Sequence, residues 1–263
     1  MAKDTISQYS KTNSSNTDVQ SVSIAEGMAP SDVNNAMREI MVDLAELYDG
    51  TQSLNHLKLQ GTTPTLTIGD AGEEDTKIVF DGHAQDYYIG LDDTDDDLKI
   101  GLGSAVGTTA HIVIDETGAV TKPLQPCVLA KVASKQSNVG GSDQQTDIPF
   151  ATEIFDQNSD YSSPSFTAPV TGRYLMIAEV TCGQLDTDAT FYQLYAVASN
   201  RTHYFSALAT DRLISSDGSM SMGCAQIIDM DASDTLKIQL AQSDGATQTD
   251  IEAESYFSIC LLA

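Results

Sequence analysis

The 263-residue sequence contains no tryptophan and few basic residues, with 13 Lys and Arg against 38 Asp and Glu. The formal net charge of −25 argues against nucleic-acid binding, because contacts to phosphate require Lys and Arg side chains. A solvated acidic surface that keeps a multimer soluble is the simpler interpretation. No stretch approaches the roughly 18 consecutive apolar residues of a membrane span, so membrane insertion is not expected. The amino-terminal residues lack the apolar segment of a secretory signal, which argues against export by that route.

Cysteine is also scarce, with four residues and no Cys-x-x-Cys pair. Cys127, Cys182, Cys224 and Cys260 stand far apart, and three of them lie in apolar strand patterns. A buried free thiol is the usual state of such residues. We therefore expect no structural disulfide and assembly in a reducing cytoplasm.

The sequence offers no recognisable catalytic or metal-binding motif. His56, His83, His111 and His203 are scattered without a His-Glu-x-x-His pattern, which argues against a zinc site. No Gly-x-Ser-x-Gly nucleophile motif is present. Paired carboxylates could support glycoside hydrolysis, but in so acidic a chain such pairs arise by chance. We expect no enzymatic activity, no metal site and no cofactor.

An acidic run at residues 92–97 resembles part of a calcium loop. Asp93, Asp95 and Asp97 match its first ligand positions, but Leu98 stands where the loop needs glycine, and no bidentate Glu follows. We interpret the run as a solvated hairpin tip. Calcium binding elsewhere on the acidic surface is left open and unlocated.

The amino-terminal third divides into a polar arm and a helical segment. Residues 1–22 are too polar to fold alone and are predicted to be an extended arm, either floppy or ordered against a partner. In the segment 23–58, Pro30 and Ser31 are expected to begin a helix, with Ser31 as its cap, and Gly50 to end it. Its apolar residues follow a heptad spacing: Val33, Met37, Ile40, Leu44 and Leu47. This seam predicts a short trimeric helical bundle, the alternative being a helix packed on its own domain.

Residues 59–120 contain a hairpin repeat that we predict to be a β-structured shaft. Ile68-Gly69 and Ile89-Gly90 are each followed by an acidic turn and then by Lys77-Ile78 and Lys99-Ile100. A single hairpin is too small to bury its own face. The copies are therefore expected to stack on each other or on other chains around a threefold axis.

Residues 121–126 contain two prolines and form a predicted linker, beyond which residues 127–263 form the predicted head. The head shows many short strand patterns separated by turns rich in Ser, Asp and Gly, with no helix between them. This arrangement favours an antiparallel sandwich.

One string in the head, Phe-Thr-Ala-Pro-Val-Thr-Gly-Arg-Tyr-Leu at residues 166–175, resembles the signature of the complement one-q globular head, a tumour-necrosis-factor-like jelly roll. Residues 148–150, 234–240 and 255–262 fit the same family in the same order. The resemblance implies a trimeric jelly roll that recognises a ligand through its outer loops. We assign Phe166, Tyr174 and Phe257 to the core or the trimer axis, and so to self-association. Candidate receptor-binding residues on the loops are Tyr161, Tyr192 and Asp217.

Residues 23–40 resemble a segment common in marine bacteriophage tail-fibre-type proteins. The resemblance implies a virion protein whose amino end binds tail or capsid proteins and whose head binds a host surface glycan or protein. The predicted fold class is mainly β: a short helix, a β-repeat shaft and a jelly-roll head in a homotrimer. Two alternatives are a non-adhesive virion protein (a head fibre, decoration or tail adaptor) and a bacterial lectin-like adhesin, which would need an export route.

Overall fold

The computed structural model describes residues 5–54, 56–141, 144–210 and 218–263. The chain divides into two compact units, Met1–Thr67 and Ile68–Ala263. No helix in the described ranges is long and apolar enough to cross a membrane.

The first unit consists of a folded arm and one long helix. The arm has two short 3-10 turns, Ile6–Gln8 and Asn13–Ser15, and a small antiparallel hairpin of β1 (Asp18–Val19) and β2 (Val22–Ser23). The helix α1 spans Pro30–Asp49. The arm is therefore ordered against its own chain, which differs from the extended arm predicted by the sequence.

The ends of α1 follow from proline and glycine. Pro30 occupies the first turn, where its missing N–H costs no hydrogen bond. The cap residue is Ala29, which makes no side-chain hydrogen bond, so the prediction that Ser31 caps the helix was wrong. Gly50 ends the helix with a φ of 81°, a left-handed conformation that glycine adopts without steric cost. The predicted end of the helix is confirmed.

The second unit begins with a five-stranded antiparallel meander, which we call the strand sheet. Its strands are β3 (Thr76–Phe80), β4 (Tyr87–Asp92), β5 (Asp97–Leu102), β6 (Ala110–Ile114) and β7 (Val120–Thr121). The predicted repeats thus pair side by side in one sheet. Residues 66–70, which contain the Ile68-Gly69 pair of the first repeat, form no strand in the structure.

The remaining strands build the head. They are β8 (Cys127–Lys131), β9 (Gln144–Asp147), β10 (Thr152–Asp156), β11 (Tyr161–Ser162), β12 (Ser165–Thr167), β13 (Gly172–Gly183), β14 (Phe191–Ala198), β15 (Thr202–Ala209), β16 (Met220–Met230), β17 (Thr235–Ser243), β18 (Asp250–Ile251) and β19 (Tyr256–Leu261). The string at residues 166–175 spans the end of β12, a turn that contains Pro169, and the start of β13. Residues 148–150, which fit the same resemblance, lie in the irregular connection between β9 and β10.

The head strands form two antiparallel sheets packed face to face. Sheet I has the order β10-β8-β19-β13-β16, with β18 also paired to β13. Sheet II has the order β11-β12-β17-β14-β15, with β9 also paired to β17. Neighbouring strands are mostly distant in sequence, as in a jelly roll and not in a simple meander. The head is an antiparallel jelly-roll sandwich.

The core of the head lies between the two sheets because alternate residues of each strand point inward. On β13, for example, Tyr174, Met176, Ala178 and Val180 are buried. Aromatic rings fill the middle of the core, with ring centroids 5.6 Å apart for Phe150 and Phe257 and 5.5 Å apart for Phe166 and Tyr174.

Two of the cysteines form a disulfide, which corrects the prediction that none would be present. Cys127 on β8 and Cys260 on β19 are bonded and stand directly opposite each other in sheet I. The other two, Cys182 and Cys224, are free and buried, as predicted. Burial raises the pKa of Cys182 to about 12 and that of Cys224 to about 11, so both thiols stay protonated near neutral pH.

Candidate recognition end and self-association surfaces

The direction of the strands gives the head two distinct ends. The linker enters at Cys127, and Gln125 of the linker donates a hydrogen bond to the carbonyl of Leu261 at the end of β19. The described loops at the opposite end, which we call the far end, include residues 133–141, 184–190 and 244–249. Loops at this end of the sandwich are the ones farthest from the linker.

A buried polar network fixes the far-end loops. The Tyr192 hydroxyl accepts a hydrogen bond from the Asp186 N–H at 2.9 Å and lies 2.6 Å from Thr249 Oγ1. Thr249 donates to Gln242 Oε1 at 3.0 Å, and Gln242 Nε2 donates to the Ala246 carbonyl at 2.9 Å. Every polar group of this network has a partner, so it holds the loops in one conformation.

Two buried aspartates hold further parts of the same loops. Asp186 accepts hydrogen bonds from the N–H groups of Asp188 and Ala246. Asp250 accepts from Lys135 Nζ at 2.7 Å and from the Asn138 N–H at 3.0 Å. Burial opposes ionisation of Asp250, but these two donors lower its pKa below the usual range. The far end is therefore a preorganised surface.

The far end exposes mainly small polar side chains. Those exposed in the described loops include Ser137, Asn138, Gln184, Thr187, Asp188, Asp244 and Thr247. Such side chains offer hydrogen-bond donors and acceptors in fixed positions, which suits recognition of a polar ligand. In the described loops of this end no aromatic side chain is exposed.

The structure does not support the predicted receptor-binding tyrosines. Tyr192 is 0% exposed and works as an internal hydrogen-bonding residue. Tyr161 on β11 is also buried, with its ring centroid 5.7 Å from that of Phe257. Neither side chain can contact a receptor in this fold. The third predicted residue, Asp217, lies outside the described residues.

The aromatic residues assigned to self-association also need correction. Phe166, Tyr174 and Phe257 are buried between the two sheets of a single chain. Tyr174 donates a hydrogen bond to the Val170 carbonyl at 2.7 Å. Of the two roles that the sequence left open, core and trimer axis, the structure gives them the core, because no surface of these rings is left for a second chain.

The predicted helical seam, by contrast, lies on the surface of the chain. Val33, Met37, Ile40 and Leu44 are between 40% and 62% exposed, and Leu47 is partly buried. Met41 and Tyr48 widen the exposed stripe. An apolar stripe of this kind on a helix usually packs against another element.

The folded arm covers the flank of α1 beside this seam. Asp43 of the helix is 1% exposed and accepts hydrogen bonds from Gln20 Nε2 at 2.9 Å, Gln52 Nε2 at 3.1 Å and the Tyr9 hydroxyl. Burial and the neighbouring Asp43 carboxylate raise the pKa of Tyr9 well above its usual value, so Tyr9 remains a donor. The arm thus covers the polar flank and leaves the seam open.

The strand sheet also leaves an apolar surface open. One of its faces consists almost entirely of apolar side chains, and we call it the apolar face; its members are Ile78, Phe80, Tyr87, Ile89, Leu91, Leu98, Ile100, Leu102, Ile112, Ile114 and Val120. The strand register places them on the same side, since Ile78, Ile89, Ile100 and Ile112 are successive cross-strand partners.

On the central strands β4 and β5, the opposite face of the strand sheet is buried although it carries charged groups there. Lys99 is 6% exposed, and its Nζ lies 2.7 Å from Asp92 Oδ2 and 2.6 Å from Asp95 Oδ2. Its hydrogen bond is the main reason that the pKa of Asp92 is lowered. Burial opposes the charge of Lys99, but the two carboxylates raise its pKa above the usual range.

This pairing bears on the acidic run that resembles a calcium loop. Asp95, one of the three aspartates that match the positions of such a loop, accepts a hydrogen bond from Lys99 Nζ. In the described part of the chain, no three His, Cys, Asp or Glu side chains are grouped closely enough to hold a metal ion.

The outer faces of the two head sheets differ in polarity. Sheet I carries exposed apolar side chains, namely Phe155, Ile177, Ile227 and Tyr256. Sheet II carries half-buried polar side chains such as Gln193, Lys237 and Gln239, the last two hydrogen-bonded to Asp147, and one largely exposed aromatic residue, Tyr204. The outer face of sheet I is the more apolar of the two.

Comparisons with known proteins find similar folds only. No family model and no curated protein matches the chain. The globular domain of zebrafish complement 1qA is 14% identical, with 53% of this chain and 98% of that one covered and a TM-score of 0.39. Murine APRIL crystallised at pH 5.0 is 10% identical, with 52% and 99% covered and a TM-score of 0.38. The jelly-roll assignment rests on the strand pairing described above.

Proposed function

We propose that the chain is the subunit of a homotrimeric bacteriophage fibre, with its amino-terminal unit attached to the virion and its head binding the host cell surface. The observation that carries this proposal is the presence of uncovered apolar surfaces on α1 and on the strand sheet, beside a head whose core is complete. A fibre subunit needs both properties, because its shaft is shared between chains while its head is displayed.

Self-association is supported by where the charge lies. The chain carries 38 acidic residues, yet the strands contribute none to the apolar face. A soluble acidic monomer gains nothing from such a surface, which favours aggregation. An assembly of identical chains covers it and leaves the charge outside.

Recognition by the head is supported by the preorganised far end. Its polar loops are held by buried groups, so binding would cost little conformational entropy. Each site is expected to be weak, because it is shallow and polar. Several heads in one assembly would give strong attachment through avidity.

A non-adhesive virion protein is the second candidate. It is favoured by the lack of exposed aromatic side chains in the described far-end loops, since Tyr and Trp usually dominate binding energy. In that case the head would serve as a structural cap, and labelled antibody would locate the protein on capsid vertices without any effect on adsorption.

The first experiment is light scattering of the full chain, followed by binding of the fluorescently labelled protein to a panel of bacterial strains. A mass of three times 28.1 kDa is expected. Asp188→Arg at the far end should weaken cell binding roughly tenfold. Asp231→Arg, an exposed aspartate between β16 and β17 at the linker end, is the matched control and should bind as the wild type does. A trimer that binds no strain would favour the second candidate.

A further inference from the structure

The strand sheet exposes apolar side chains and buries charged ones, which is the reverse of an ordinary protein surface. Its exposed apolar side chains, Ile78, Phe80, Tyr87, Ile89, Leu91, Leu98 and Val120, are 36–61% exposed. On the other side, the loop at residues 103–109 lies over Tyr88, with the Gly107 N–H donating to the Tyr88 hydroxyl at 3.1 Å. The chain therefore covers the polar face of this sheet and leaves the apolar face bare.

The repeated Ile-Gly pairs explain how this arrangement is encoded. In Ile89-Gly90 and Ile100-Gly101, alternation places each isoleucine on the apolar face and each glycine on the covered face. A Cβ at Gly101 would overlap the Tyr88 ring, and one at Gly90 would lie 2.8 Å from Val106 Cγ2. The glycines admit the covering loop, whereas Ile89 remains 36% exposed on the other face.

The size of the apolar face matches an interface. The exposed fractions of its side chains correspond to roughly 600 Å² per chain, against about 800 Å² per partner in a standard protein interface. Monomeric proteins rarely expose a contiguous apolar patch of more than a few hundred Å².

The charge distribution is compatible with identical copies as the partner. Two chains that each carry a net charge of −25 repel one another overall, so a contact between them must at least avoid placing like charges directly opposite each other. The apolar face fulfils this condition, because the charged residues of its strands, such as Lys77, Asp92 and Lys99, point to the other side. Two copies of this uncharged face can therefore pack together without placing like charges opposite each other.

We propose that the apolar face of the strand sheet is buried against the same face of other copies of this chain, forming a hydrophobic core shared between chains. This inference rests on the proposed function only for the number of copies, which a fibre sets at three. Ile89 and Ile100 lie on the central strands, so they form the middle of the shared core.

A single cysteine at the centre of the face tests the contact in the full-length protein. Ile89→Cys keeps a small apolar side chain, and its thiols should approach each other across the interface. Mild oxidation is expected to give disulfide-linked chain pairs on a non-reducing gel, several-fold more than in Thr94→Cys. Thr94 is the matched control, since it is exposed at the β4–β5 turn. Equal cross-linking of the two variants would overturn the inference.

Hydroxyl-radical footprinting of the wild-type protein tests the same contact without a substitution. Tyr87 on the apolar face is 44% exposed and Tyr204 on β15 is 69% exposed in the single chain. In the assembly, modification of Tyr87 should fall at least several-fold relative to Tyr204 and should recover on dilution. Modification of both tyrosines in proportion to their single-chain exposure would contradict the shared core.

The outcomes separate this inference from the proposed function. A two-chain mass with strong Ile89→Cys cross-linking would contradict the trimeric fibre but support the face-to-face contact. A three-chain mass with Tyr87 fully reactive would overturn the contact. Association of the three chains would then have to be mediated by the helical seam or by the head. Protection of Tyr87 only after another purified virion protein is added would also overturn it, because the occupant would then be a different chain.

Discussion

The head and the strand sheet are both antiparallel β-structure, but they dispose of their apolar residues in opposite ways. In the head, Phe166, Tyr174 and Phe257 are enclosed between two sheets, and the polar residues of sheet II face outward. In the strand sheet, Ile89 and Leu91 face outward while Lys99 is enclosed. The same alternation of apolar and polar residues thus produces a closed core in one region and an open one in the other.

The two regions therefore differ in how they obtain their stability. A sandwich buries the inner faces of two sheets within one chain and has a complete core. A single sheet with a loop over one face buries little apolar surface, and the hydrophobic effect scales with the area removed from water. The head should therefore be stable at any concentration, whereas the strand sheet should gain stability by association.

The largest expected effect comes from placing a charge on the apolar face. Tyr87→Asp would put a carboxylate from each chain into the shared core, where an unpaired charge is strongly unfavourable. The concentration at which the assembly dissociates should rise roughly hundredfold or more. Light scattering over a dilution series measures this concentration.

Tyr204→Asp is the control for that variant, because it makes the same replacement at an exposed tyrosine of sheet II. It should leave the dissociation concentration unchanged. If both variants dissociate alike, or neither does, the two regions do not differ in the proposed way.

The next effect is expected in the head and should be independent of assembly. Phe257→Ala removes a ring that packs against Phe150 and Tyr161 in the core. Such truncations cost about 4 kcal/mol in the free energy of unfolding. Denaturant unfolding followed by near-ultraviolet circular dichroism should show the loss at the same size at every protein concentration. A loss that grows with dilution would place Phe257 at an interface after all.

Removal of the disulfide should have a somewhat smaller effect, again confined to the head. Cys127 and Cys260 are 133 residues apart in sequence and join the first and last strands of the head. Replacing both with serine should lower the free energy of unfolding by about 3 kcal/mol, because the open chain gains entropy on unfolding. Thermal unfolding with and without reductant, together with thiol titration, would check this. Four reactive thiols in the unfolded, unreduced protein would show that the bond is absent.

The sequence predicts the fold of each region well because local signals define its elements. Pro30 and Gly50 bound the helix, as the sequence predicts. The antiparallel sandwich follows from many short strands with no intervening helix. None of these predictions needs long-range information.

The candidate sites are harder to predict because they depend on which strands become neighbours. Cys127 and Cys260 looked like isolated thiols until β8 and β19 paired. Tyr192 stands beside a polar turn in the sequence, yet alternation along β14 turns it inward with Leu194. For the burial of Lys99 the sequence does contain a signal. Lys99 and Gly101 are two residues apart on one strand and therefore lie on the same face, and a glycine within a strand indicates that another part of the chain packs closely against that face.

The smallest expected effect is the pH dependence of the stability that the Lys99–Asp92 pair gives to the strand sheet. Because Lys99 lowers the pKa of Asp92, the pair stabilises the folded sheet above the ordinary aspartate pKa of about 3.9, and this contribution is lost as the pH falls through the lowered value. The raised pKa of Lys99 extends the contribution past the ordinary lysine pKa of about 10.4.

Amide exchange of β4 and β5 in the wild type should therefore stay slow from about pH 5 upward, once corrected for intrinsic rates, and accelerate in acid. In Asp92→Asn the corrected exchange should be faster at neutral pH and depend less on acid. Parallel acid dependence in the two proteins would assign the effect to carboxylates elsewhere, such as Asp250 in the head, and not to the face that the covering loop encloses.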